Sequence, residues 1–292
     1  MNQPQRGIAL LQVLFLSMIL SVMLISMHLK AKAALTLAQE LTDRAQAELQ
    51  LYSADAEFKF VVLSQPLTLQ GSENGQLQWN LHDEPFAFAG INMQVQDVSG
   101  LVNLYNYNDM ARLFRYFNDE STAAQLVGQL QDWQDDDKDA GINGAEQSAY
   151  PAEVRVRNQL MQTESEIRFL KSMTPAQADL LLPWLSTAPQ SYQNPLVMPD
   201  LVLQVMFGKT LADQLTRLRQ TNKLDGDMLR VVMGAIHSDD WVFGPSGSYR
   251  VTFTSEVNNV KLSRRYTIRL SPYQEDPFTY WEYVNQYHAE NR

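Results

Sequence analysis

Between Asp132 and Glu146 the chain gathers residue types that bind a hard cation. Asp132, Asp135, Asp136, Asp137 and Asp139 place five aspartates within eight residues, and Gly141, Asn143, Gly144 and Glu146 follow. Calcium takes roughly six to eight oxygen ligands from a flexible loop. Asp135, Asp137, Asp139 and Glu146 fall at positions 1, 3, 5 and 12 of an EF-hand-like register, and Asn143 falls at position 9. Ala140 stands at position 6, where that register needs glycine, and Tyr150 with Pro151 interrupts any exit helix. The stretch therefore reads as a calcium loop that is not a true EF-hand. A solvated acidic turn is the common fate of a charge run. However, carboxylates held together by a fixed fold repel one another unless a cation joins them. No nucleophile with an orienting base stands nearby, so a hydrolytic carboxylate pair finds no support and no catalytic residue is assigned.

A loop of this kind needs helices and a core to hold it. From Asn103 to about His237 the pattern is helical, with Asn103, Ser121 and Thr174 before Pro175 as expected helix starts. Residues 201–206 and 211–218 carry apolar faces at helical steps. Strand patterns lie on both sides of this block. Before it, 60–63 is a short apolar run, 71–75 is turn chemistry, and Leu77, Trp79, Leu81 and then Ile91, Met93, Val95 alternate with polar residues. After it, Tyr249, Val251, Phe253 and Tyr266, Ile268, Leu270 alternate in the same way. A helical domain inserted between the strands of one sheet explains this order better than two domains in tandem.

The N-terminus sets the location. Residues 8–29 carry no formal charge, with Arg6 before them and Lys30 and Lys32 after. A helix of that length at about 1.5 Å per residue spans a bilayer. A cleaved secretory signal would have a shorter apolar stretch and a small-residue site after it. The helical pattern continues through Leu35, Ala38, Leu41, Ala45, Leu49 and Tyr52, the face expected to pack on the sheet, to about Phe58.

Composition narrows the function. The 292 residues are 45% hydrophobic and 19% charged, as a folded protein requires. A net charge of −10 disfavours a broad phosphate-binding surface, so no nucleic-acid partner is expected. There are no cysteines, and His28, His82, His237 and His288 share no metal-ligand spacing.

Pro4, Gln5, Arg6 and Gly7 ahead of the apolar run resemble the leader of type IV pilins and pseudopilins. Leu130, Asp132, Trp133, Asp135 and Asp137, then Gly144, Ala145, Glu146 and Tyr150, resemble the signature of the pseudopilin K family of type II secretion. Asp97, Ser99, Gly100, Val102, Asn103 and Leu104 fit the segment before its helical insert. Asn158, Leu160, Ser165, Glu166, Ile167, Met173, Thr174, Pro175 and Gly247, Ser248, Tyr249 fit as well. Residues 194–199 depart from the family pattern.

The resemblance implies an α+β fold: a pilin-like long N-terminal helix, half transmembrane and half periplasmic, on an antiparallel sheet with a large helical insert. It implies a leader at 1–7, a helix over 8–58, a pilin-like domain from 59–102 and 240–292, and an insert at 103–239. Prepilin peptidase would cut between Gly7 and Ile8, and Ile8 would be N-methylated. Gln12 stands where most pilins carry glutamate, as the K subunit usually does, and this suits a filament tip with nothing ahead of it. The implied protein is no enzyme but a minor pseudopilin of the inner membrane, N-terminus cytoplasmic, working with minor pseudopilins I and J and the major pseudopilin filament in exporting folded proteins. By resemblance Asp132, Asp135, Asp137 and Glu146 bind calcium, and Asp136 is a second-site candidate. A signal-anchored periplasmic calcium-dependent enzyme and a minor pilin of a type IV pilus are the alternative readings.

Overall fold

The computed structural model describes residues 6–65, 67–69, 71–72, 79–190, 192–234 and 241–289. The chain is a mixed helix and sheet protein. Helix α1, Arg6–Ser64, is unbroken over 59 residues, about 88 Å at ~1.5 Å per residue. Its N-terminal part is long and apolar enough to cross a membrane, and side chains from Leu10 to Leu29 are exposed.

The helix ends past the expected boundary at Phe58. The apolar run at 60–63, expected as a strand, is its last turn. Val61 and Val62 follow Phe58 at helical steps and are buried on the same face, so they reach the core without leaving the helix. That face is Ala47, Leu51, Ala54, Phe58, Val61 and Val62. The expected packing face is the wrong one: Leu35, Leu41, Leu49 and Tyr52 are exposed at 72%, 59%, 67% and 61%. Both stripes recur at three- and four-residue steps, on opposite sides of the helix.

One short pair precedes the sheet: β1, Leu67–Thr68, and β2, Gly71–Ser72, are antiparallel to each other. Gly71 and Ser72 thus lie in a strand instead of the expected turn, whose remaining residues, with Leu77, lie outside the described residues. The main sheet has five strands: β3, Phe86–Phe88; β4, Ile91–Asp97; and, beyond β5, Val102–Asn103, and β6, Leu185–Ser186, which pair in parallel with each other, β7, Ser248–Val257; β8, Val260–Leu270; and β9, Phe278–Ala289. Their order is β3-β4-β7-β8-β9, antiparallel throughout. β4 and β7 are neighbours although the insert separates them in sequence.

Trp79 and Leu81 are buried as their alternation suggested, but form no regular strand. His82 makes one bridge to Gln96, and Asp83, at φ 69°, turns the chain away. β9 is rich in aromatics without strict alternation, so the strand pattern seen in β7 and β8 does not mark it. α1 crosses β7 and β8. Phe58 meets Trp79 and Phe253 with ring centroids 6.1 and 6.0 Å apart, and Tyr266 donates its hydroxyl to Asp55 at 2.5 Å.

The insert holds helices α2, Tyr107–Phe117; α3, Glu120–Gln134; α4, Pro175–Leu181; α5, Asp200–Phe207; α6, Lys209–Gln220; and α7, Gly226–Met233. Its core, from Val102 to Met233, is distinct from the α1–sheet core. Thr174 caps α4 with a capping box, as expected. Asn103 and Ser121 are not caps. Asn103 sits in β5 and donates to Ala188 O at 2.9 Å, while Asn106 and Asp119, slightly displaced in sequence, accept the N–H groups that start α2 and α3.

Candidate metal centre

The acidic residues begin on α3. Asp119 accepts the Thr122 N–H at 3.0 Å and starts the helix. Leu126 and Leu130 are buried in the insert's core. Trp133 fixes the far end, stacked on Phe169 at 5.9 Å between centroids and 6° between planes, with Tyr150 edge-on at 5.7 Å. Gln134 ties the same turn to the Leu104 carbonyl at 3.2 Å and accepts the Met161 N–H at 3.2 Å. Asp135 is the C-cap, its N–H bonded to Gln131 O at 2.9 Å.

This position is electrostatically adverse. The C-terminal end of a helix carries about half a negative charge, so carboxylates there are repelled. Asp132, Asp135, Asp136 and Asp137 crowd that end.

The loop then returns. Asp132 is buried, and both its oxygens lie 3.2 Å from the Gly141 N–H that donates to them. Gly144 donates to Gly141 O at 3.1 Å, and Asn143 adopts φ 61°. Ile142 and Asn143 lie so close to α3 that a Cβ on Gly128 would come within 2.7 Å of their backbone. Glu146, buried, then begins a short turn of 3-10 helix over Gln147–Ala149.

This path brings Asp135, Asp137 and Glu146 together, with one carboxylate oxygen of each within 4.8 Å of the others. Asp135 Oδ1 and Glu146 Oε1 are buried and accept no hydrogen bond among the described residues. Burial raises the Asp135 carboxyl above its ordinary value, and Asp137, Asp132, Glu146 and Asp136 push it further. Buried carboxylate oxygens without donors, pointed at like charges, fit a divalent cation. Three carboxylates offer up to about six oxygens, within reach of calcium's preference.

Of the sequence candidates, Asp132 lies beside this group but is engaged by Gly141. Asp139 and Asn143 are exposed; Asp139 is not among the three converging carboxylates, and its N–H instead donates to Asp137 Oδ1 at 2.8 Å. Spacing alone missed Asn158. From φ 49°, it donates Nδ2 to the Asp137 carbonyl and, at 3.5 Å, to Glu146 Oε2. It arrives from beyond Pro151, so no local register could find it. Gly7 and Ile8 lie in the first turns of α1, and Gln12 is exposed on it.

Residues 91–190 match the family described as "Type II secretion system (T2SS), protein K". The Type II secretion system protein K of Klebsiella pneumoniae is 29% identical over 208 residues, 63% of this chain and 63% of the relative. The match thus spans less than two thirds of that relative's length. In the crystal structure of the GspK-GspI-GspJ complex from enterotoxigenic Escherichia coli, one chain superposes with a TM-score of 0.54 at 18% identity, covering 83% of this chain and 98% of that one. At that identity the likeness is one of fold.

Proposed function

We propose, for a chain whose residues 91–190 form a type II secretion system protein K domain, that it is a minor pseudopilin at the tip of the type II secretion pseudopilus. It supports filament initiation and the export of folded proteins across the outer membrane. Its partners are minor pseudopilins I and J, as in the complex that holds the structural relative, and then the major pseudopilin filament.

One observation carries the reading. α1 has two opposed apolar faces, one used by its own sheet and the other, through Leu35, Leu41, Leu49 and Phe60, left open. A helix that leaves a membrane with such a stripe is suited to lie against helices of neighbouring subunits. Prepilin peptidase cuts between Gly7 and Ile8 and the new Ile8 terminus is methylated. The residues after the membrane segment are periplasmic and Gln12, without charge, asks for no subunit ahead of it.

Calcium is a structural ion in this reading. Asp135, Asp137 and Glu146 would hold it, with Asp132 and Asn158 supporting the loop. Bound, it neutralises the carboxylates gathered at the end of α3. The chain itself performs no catalysis.

The test is co-purification of the full-length chain with the I and J subunits from cells producing all three, together with secretion in a strain lacking the chain. Stable recovery of the three and loss of export are expected. Normal export without the chain would overturn the reading.

A further inference from the structure

The α1–sheet core and the insert core share little apolar contact. Val197 is the insert residue buried in the sheet's cluster, and Leu69 packs against both. The junction is instead polar and falls on one cross-strand pair. Gln96 of β4 and Arg250 of β7 are direct partners in register. Their neighbours Val95 and Val251 face α1, so strand alternation turns Gln96 and Arg250 to the opposite face. Both are buried there.

Each reaches a different part of the insert. Gln96 Nε2 donates to Val197 O at 2.9 Å and to Asp97 O at 2.8 Å. Arg250 donates to Leu185 O at 2.7 Å, to Pro183 O at 3.2 Å and to Glu164 Oε1 at 3.1 Å. Glu164, equally buried, also accepts the Thr187 N–H at 3.0 Å. Where the chain leaves and re-enters the sheet, Asp97 accepts the Ser99 N–H at 2.9 Å and the Ser246 N–H at 2.7 Å, joining the two crossings. A neck of two crossings fixes where the insert attaches but leaves rotation about it open. Contacts to 183–187 and to Val197 remove that freedom.

We infer that Gln96 and Arg250, with Glu164, form a pin that sets the orientation of the insert on the sheet, so that a displacement of α1 is carried to the insert as a rigid-body movement. Buried ion pairs add little net stability compared with apolar replacements, and their better-attested use is to select one geometry. Arginine suits the task because its planar fork serves several acceptors at once, which an ammonium on a lysine stem does not match.

The chain has no cysteine, so two introduced ones can be labelled uniquely. Val231 on α7 and Tyr273 in the turn between β8 and β9 are both exposed. Pulsed dipolar spectroscopy on the full-length Val231→Cys/Tyr273→Cys chain in detergent micelles should give one narrow distance distribution. Arg250→Met with Glu164→Gln, which keeps an acceptor for Thr187, should retain the helical and sheet circular dichroism while the distribution widens or splits. Adding Gln96→Leu should widen it further. A folded double variant with the parent's narrow distribution would overturn the pin. If that variant fails to fold, Arg250→Lys decides: it keeps the charge, and a distribution as narrow as the parent's in this folded variant would equally overturn it.

Discussion

Asp132 occupies the space that a side chain at Gly144 would need: a Cβ built there would fall 2.0 Å from Asp132 Oδ2. The loop therefore closes only with glycine at 144. Gly144→Ala must push Asp132 off the Gly141 N–H or open the loop. A loss of about 1–3 kcal/mol is expected, as for other overpacked buried sites. Chemical denaturation of the parent and variant would measure it, and an unchanged midpoint would show that the loop yields freely.

Calcium should stabilise the folded chain by RT ln(1 + [L]/Kd), about 2.7 kcal/mol at a hundredfold excess over Kd. Magnesium should do less, because it holds its waters and demands compact octahedral geometry. Asp135→Ala or Glu146→Ala should remove most of the response, and Asn158→Ala part of it. Calorimetry on metal-stripped protein is the measurement. Absence of binding at millimolar calcium, or equal stabilisation by the two ions, would remove the defined site.

The two faces of α1 should respond oppositely. Phe58 is fully buried between Trp79 and Phe253, and Phe58→Ala should cost about 3–5 kcal/mol. Leu41→Lys and Leu49→Lys, on the open stripe, should leave the melting temperature nearly unchanged while reducing recovery of the partner subunits. Partner recovery at the parent's level would show that this stripe is not a contact surface.

The insert should carry an acid-sensitive ion pair. Burial alone would raise the Glu166 carboxyl. Arg157, bonded at 2.7 and 3.0 Å, and the N–H groups of Gln162 and Thr163 more than offset this and hold it below its ordinary value of 4.5. Because the folded value lies below the unfolded one, this contribution is whole above about the ordinary value and is lost as pH falls through the folded value. Glu166→Gln should therefore be less stable than the parent near neutrality and approach it in acid. A constant difference across that range would assign the effect to packing.

Leader processing should depend on Gly7, since glycine leaves the scissile backbone unshielded. Prepilin peptidase should shorten the parent chain by its first seven residues and leave Gly7→Arg intact. Mass spectrometry of the N-terminus distinguishes the two, and a cut Gly7→Arg chain would remove the pilin-type leader.

Alternation marks β7 and β8 in the sequence because the large apolar residues of each lie on one face, although polar residues such as Arg250 and Thr267 are buried on the other. Residues 91–97 and 248–257 also pair across the intervening helices as their patterns suggested. The acidic residues could be identified by type, but not which of them converge. Asp135, Asp137 and Glu146 meet because α3 ends under Trp133 and the chain returns over Gly128, and neither event has a local signature. The packing face of α1 is hidden in the sequence for a related reason. Ala47 and Ala54 contribute little hydrophobicity, yet their smallness lets the helix lie close to the sheet, while the larger Leu35, Leu49 and Tyr52 dominate the periodicity. A pattern with two apolar stripes cannot say which one its own domain will use.

The uninterrupted course of α1 also sets a clearance. The apolar segment ends at Leu29 and the first buried residue beyond it is Asp43, a separation of about 21 Å at ~1.5 Å per residue. If the apolar segment fills the bilayer, the folded body stands that far above the surface on a bare stalk. A neighbouring membrane protein with a low external part could pass beneath the body without displacing it. Only one whose own stalk rises alongside α1 could meet both the stalk and the sheet.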